Sequence, residues 1–145
     1  MGKEKKLTAW VERISARALS ALKLKNTVKV CLEPMGHRFA TLDNACEITD
    51  NNLYVNSDWL QQQSNNPDET EVRMLIYHEI RHLYQRLEVK NFRERKSTKE
   101  PLPVLLKWQY ELEHYQRNEG GATTLRYYSQ SIEIDAYAFA VYLLN

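Results

Sequence analysis

Glycine and proline are scarce here, four of each in 145 residues. That excludes collagen-like, linker-rich and low-complexity chains, which need far more of both. Cysteine is scarcer still. Cys31 and Cys46 are the only two, too few for a disulfide scaffold and too far apart for a CxxC or CxxxC metal knuckle. No apolar run has the length that a bilayer crossing requires. The opening MGKEKKLTAW lacks the apolar core of a signal peptide, and Glu4 and Glu12 do not suit a transit peptide. Lys6 stands where a myristoylation signal needs Ser or Thr. The expectation is a cytoplasmic protein with no membrane partner. A net charge of +1 supplies no whole-molecule field for nucleic acid. The densest basic stretch, Lys90 to Lys99 (KNFRERKSTK), reads as a solvated loop, so nucleic acid is not an expected partner.

What is present is ordinary for a globular chain: 43% hydrophobic and 27% charged residues, in a length that fits one domain over residues 1–145. Leu7, Trp10, Val11, Ile14, Ala18, Leu19 and Leu22 recur at helical spacing and predict an amphipathic N-terminal helix. Thr27 to Leu32 alternates and is β-branched, so it reads as a strand that Pro34 and Gly36 end; a second short strand is expected over Arg38 to Leu42. After a turn at Asn51-Asn52, Asn52 to Asn56 reads as a third strand. At a sheet edge it could pair with an extended peptide. Ser57-Asp58 offers an N-cap for a short helix from Trp59.

A long helix is then expected from Pro67-Asp68, with Val72, Leu75, Ile76, Ile80, Leu83, Tyr84 and Leu87 as its buried stripe. Pro101 and Pro103 precede another helix, Val104 to Tyr115, which stops before Asn118 and Gly120-Gly121. A last helix from about Thr123 to Leu144 is expected to bury Leu125, Tyr128, Ile132, Ala136, Phe139, Ala140 and Leu143 and carries Glu133 and Asp135 in its middle. The fold class that results is α+β: a small antiparallel or mixed sheet, an N-terminal helix, a central helix and C-terminal helices.

The central helix contains His78-Glu79-Ile80-Arg81-His82, an HExxH string. Residues four apart on a helix differ by about 40° in direction and lie one turn apart, so two imidazoles can meet one ion. Glu79 lies beside them, where its carboxylate reaches a water on that ion without being a ligand. The spacing suits a catalytic zinc, which takes three protein ligands and leaves a place for water. Glu133, Asp135, His114 and His37 are the candidates for the third. Glu133 and Asp135 point about 160° apart on a helix, so one at most faces the ion.

HEIRH followed by the later string E-I-D-A-Y-A-F-A resembles the gluzincin clan of zinc metallopeptidases. In size the chain is similar to the minigluzincins, and its second string to the ImmA/IrrE-type intracellular regulatory peptidases. The resemblance covers roughly Asn52 to Leu144. It implies Zn2+ held by His78, His82 and Glu133, with Glu79 as general base for hydrolysis of a protein or peptide, and the strand reading of Asn52 to Asn56 adds that the substrate could bind as an added strand. Tyr115, Tyr127, Tyr128 or His114 could stabilise the oxyanion. The chain departs from the clan at Tyr137, where an acid often supports a zinc histidine, and at Arg81, usually uncharged. An inactive or structural-metal domain serving as a binding or regulatory module is the alternative expectation.

Overall fold

A computed structural model describes residues 2–117 and 122–145, apart from the side chains of residues 122–125. The chain forms α1 (Gly2–Ala21), β1 (Lys29–Glu33), β2 (Cys46–Thr49), β3 (Asn52–Asn56), α2 (Ser57–Gln63), α3 (Thr70–Arg93), α4 (Leu102–Glu113), α5 (Ala122–Ser129) and α6 (Ser131–Leu144). This is the expected α+β arrangement, with a mixed sheet.

Leu7, Val11, Ile14 and Ala18 line the buried face of α1, at the spacing that one helical stripe requires. The helix ends where Lys23 turns left-handed (φ 56) and Leu24 N–H reaches back to Leu19 O at 2.9 Å, a Schellman-type stop without glycine.

The sheet order is β1-β3-β2, with β3 parallel to β1 and antiparallel to β2. Two expectations are corrected here. Asn52 to Asn56 is the central strand, with a partner on each side, so it offers no free edge. Arg38 to Leu42 is no strand: Gly36 (φ 124) folds the chain back, and one isolated bridge joins Met35 to Phe39. The second outer strand is Cys46–Thr49 instead, joined to β3 through a turn in which Asp50 takes φ 54. Leu53, Val55 and Ile48 face the core. Arg38 caps the other face, lying over the Tyr54 ring and pairing with Glu33 and Glu47.

Buried Asn56, not Ser57 or Asp58, caps α2. Its Oδ1 accepts from Asp58 N–H and Trp59 N–H, while its Nδ2 donates to Thr41 O and Asn44 O. At the start of α3, Asp68 Oδ1 accepts from the Thr70 amide and hydroxyl, so the helix proper begins two residues later than Pro67-Asp68 suggests. α3 then runs through Arg93, so the first part of the basic stretch is helical rather than loop. It packs against α1, β2, α4 and α6 and forms the spine of one hydrophobic cluster.

The expected last helix is two. Gln130 is extended (ψ 137), and its side chain bonds both Gln116 N–H and Gln116 O. The Glu111 carboxylate, from α4, accepts from Ser131 N–H, Ser131 Oγ and Ile132 N–H and thereby caps α6. Asn118 and Gly120-Gly121 lie outside the described residues, as do the side chains of Thr123 and Leu125. Among the described residues no helix is long and apolar enough to cross a membrane.

Candidate metal centre

α3 carries the HExxH string on the side that meets α6. The break at Gln130 places Glu133 in the first turn of α6, where the helix dipole favours a carboxylate. Glu133 is wholly buried, and His78 and His82 are 3% and 7% exposed. Glu133 Oε1 lies 3.1 Å from His78 Nε2, Glu133 Oε2 lies 3.2 Å from His82 Nε2, and the two Nε2 atoms are 3.0 Å apart. Burial by itself would raise the Glu133 carboxyl, but the two imidazoles hold it far below the usual carboxylate range.

The hydrogen-bond network assigns the His82 tautomer. Gln85 Nε2 donates to Ile132 O at 2.9 Å and to Asp135 Oδ2 at 2.7 Å, which orients the amide. Its Oε1 then faces His82 Nδ1 at 2.8 Å and must accept. Nδ1 therefore carries the hydrogen, and neutral His82 presents a lone pair at Nε2, toward His78 and Glu133. Two imidazole nitrogens and two carboxylate oxygens so close together need a cation between them. Burial pulls the His82 pKa down, yet Glu133, Glu79 and Gln85 outweigh it and raise the value.

The same triangle fits a metal. Bonds of about 2.0–2.2 Å place tetrahedral ligands about 3.3–3.6 Å apart, so an outward shift of a few tenths of an ångström admits an ion. The ligand atoms of His78, Glu79 and His82 also lie within 4.8 Å of one another, a group able to hold a metal ion. Comparison with protein-family models, with curated proteins and with solved structures gives no match. The metal reading of this chain therefore stands on its own geometry and on the HExxH spacing in α3.

The other candidates for a third ligand lie elsewhere. Asp135 forms a two-point pair with Arg81, at 2.7 and 3.0 Å. This accounts for the charge inside the motif: the Arg81 guanidinium also covers the Tyr84 and Phe139 rings. His114 Nδ1 bonds Tyr110 O, and its ring stacks on Tyr110. His37 is exposed in the Gly36 turn. Tyr137 lays its ring 4.4 Å from that of His78, whose buried Nδ1 has no hydrogen-bond partner among the described residues. Support thus falls on His82, through Gln85, rather than on His78.

Glu79 turns the other way, toward the sheet. Its Oε1 accepts from Ile48 N–H at 3.0 Å. Burial raises its pKa, against the nearby histidines, the Ile48 amide and Arg86. Arg86 Nη1 in turn donates to Ile48 O at 2.8 Å. Both outward groups of Ile48, on the outer strand β2, are thus held by α3.

Glu79 and His82 line an open cleft of about 920 Å³, which Tyr115, Tyr127 and Tyr128 border. Tyr115 Oη donates to Glu133 Oε2 at 2.8 Å. Burial beside Glu133 raises the pKa of Tyr115 and of Tyr127, so both phenols stay protonated donors. Sequence reasoning missed Gln85, Arg86 and Glu111 as parts of the centre. Only Gln85 leaves a trace, as a polar residue three positions past His82 on a buried face.

Proposed function

We propose that the protein is a zinc metallopeptidase that hydrolyses peptide bonds of an intracellular protein or peptide, with His78, His82 and Glu133 as zinc ligands and Glu79 as general base. The supporting observation is the convergence of three ligand groups at 3.0–3.2 Å beside the half-buried Glu79 carboxylate in a cleft. A structural zinc is normally closed off by four protein ligands, whereas three with a cleft in front leave room for a reactant.

Bound there, zinc would supply Lewis acidity, polarising a substrate carbonyl and bringing the pKa of a coordinated water down to about 7. The chain's own groups handle the protons. Glu79, its pKa raised by burial, takes a proton from the attacking water and passes it to the departing amine. Gln85 keeps the His82 proton on Nδ1, away from the ligand face. Tyr115 and Tyr127 are protonated phenols beside the centre, suited to donate to an oxyanion.

The peptide would lie along β2, whose outward backbone groups face α3. To pair there it displaces Glu79 and Arg86 from Ile48. That tie favours a second reading, a metal-holding module that binds a peptide without cutting it. Glu79→Gln separates the two when set beside the native protein: zinc content unchanged in both, hydrolysis of a peptide library by the native protein alone. No hydrolysis by the zinc-loaded native protein decides for the module, and turnover in Glu79→Gln removes Glu79 as the base.

A further inference from the structure

The basic residues between Lys90 and Lys99 do not share one surface. Lys99 Nζ donates to Leu22 O at 3.0 Å, and Lys96 pairs with Glu94 at 2.9 Å. Lys90 and Arg93 instead line a second hollow, of about 460 Å³, with Arg86 and Leu112 in its wall. Arg86 and Leu112 also line the cleft of the metal centre. The two hollows are therefore one groove, running from His82 along the C-terminal half of α3 beside α4.

Its charge is uneven. Arg86, Lys90 and Arg93 lie along it, and Arg117 borders the cleft. Arg93 shares its charge with Glu113 at 2.8 Å, whereas Arg86 and Lys90 have no ion-pair partner among the described residues. Glu94, the acid in the second hollow, is paired with Lys96. The rest of the cleft lining carries Asp43 and Glu79, together with Glu47, which is paired with Arg38. A polyanion running the whole length of the cleft would meet repulsion from Asp43 and Glu79. A peptide with acids on one side only meets none, and this decides for peptide over nucleic acid.

We propose that this groove is a specificity subsite for substrates bearing Asp or Glu on one side of the scissile bond. The proposal rests on the metallopeptidase reading. Arg86, Lys90 and Arg93 follow His82 by 4, 8 and 11 residues, or about 6, 12 and 16 Å along the helix. An extended chain advances about 3.3 Å per residue, so the acids belong about two to five residues from the reacting bond. Val89 and Leu112 give the groove an apolar floor for the intervening side chains.

The test measures binding and cleavage separately. Fluorescent peptides with Asp or Glu at these positions, and their Asn or Gln counterparts, are titrated against zinc-loaded Glu79→Gln, and the same peptides are offered to the native protein. The acidic peptides should bind about tenfold tighter, as several exposed ion pairs would allow. Lys90→Glu should remove most of that difference, and 0.5 M salt should do the same. Equal affinities, or a preference untouched by Lys90→Glu, would overturn the proposal. So would a DNA oligonucleotide that displaces the acidic peptide at equal concentration. Acid-selective binding without hydrolysis would sustain the groove and sink the peptidase reading; hydrolysis without acid selectivity would do the reverse.

Discussion

Replacing Gln85 with Met tests whether the His82 ring is set from behind. Met nearly matches Gln in length and volume but lacks the amide, so the core stays filled while three hydrogen bonds go. Asp135 keeps Arg81 as its partner and Ile132 O keeps its place in the α6 helical bonding, but His82 Nδ1 loses its acceptor. One buried group left unpaired at about 1–3 kcal/mol predicts a loss of that size in stability. Zinc affinity should fall about 10- to 100-fold, the usual effect of losing a group that orients a metal histidine. That equals about 1.4–2.7 kcal/mol. Zinc is titrated against a chromophoric chelator, with folding checked by circular dichroism. A Co2+ spectrum then shows whether the ligand set is intact. Unchanged affinity and spectrum in folded Gln85→Met would refute the tautomer argument and leave Gln85 a packing residue.

Three further outcomes follow from the same contacts. Glu111→Ala removes the α6 cap from another element and should cost about 0.5–2 kcal/mol, lowering Tm by about 2–8 °C; an unchanged Tm would mean that Gln130 alone holds the break. Asn56→Ala strands the first amides of α2 and two loop carbonyls, and urea unfolding should show a loss of about 2–4 kcal/mol. In the metal-free protein, the raised His82 pKa gives stability fully present below the ordinary value of about 6.5 and lost as pH rises through the folded one. The lowered Glu133 pKa gives stability present above about 4.3 and lost as pH falls. With chelator, melting temperature should therefore peak between about pH 4.3 and 6.5, and zinc should remove the alkaline decline; a pH-independent Tm in chelator would contradict both shifts.

The residues differ in how openly they announce themselves. α1, β3 and the stripe of α3 show in apolar spacing because each buries one continuous face against a partner. The His78 and His82 chelate is equally plain, being local helix geometry. β2 is hidden because four residues with one buried side chain make too short a pattern, and the Gly36 turn diverts attention to Arg38–Leu42. The break at Gln130 is invisible for another reason. Nothing in SQSIEI forbids a helix, and the capping carboxylate comes from Glu111, twenty residues away from Ser131. That break also decides between the two acids. It aims Glu133 at the histidines and Asp135 at Arg81, a choice the 160° between them poses but cannot make.

The grip of α3 on Ile48 has a bearing on solubility. An outer strand with unanswered amides and carbonyls is a template for another chain, and three-stranded sheets have little else to shield them. Glu79 and Arg86 stopper that edge with a carboxylate and a guanidinium. Truncating Glu79 to Ala would uncork the strand and invite self-association, so that lost activity could be mistaken for lost chemistry. Glu79→Gln keeps a carbonyl oxygen for Ile48 N–H and leaves the edge closed.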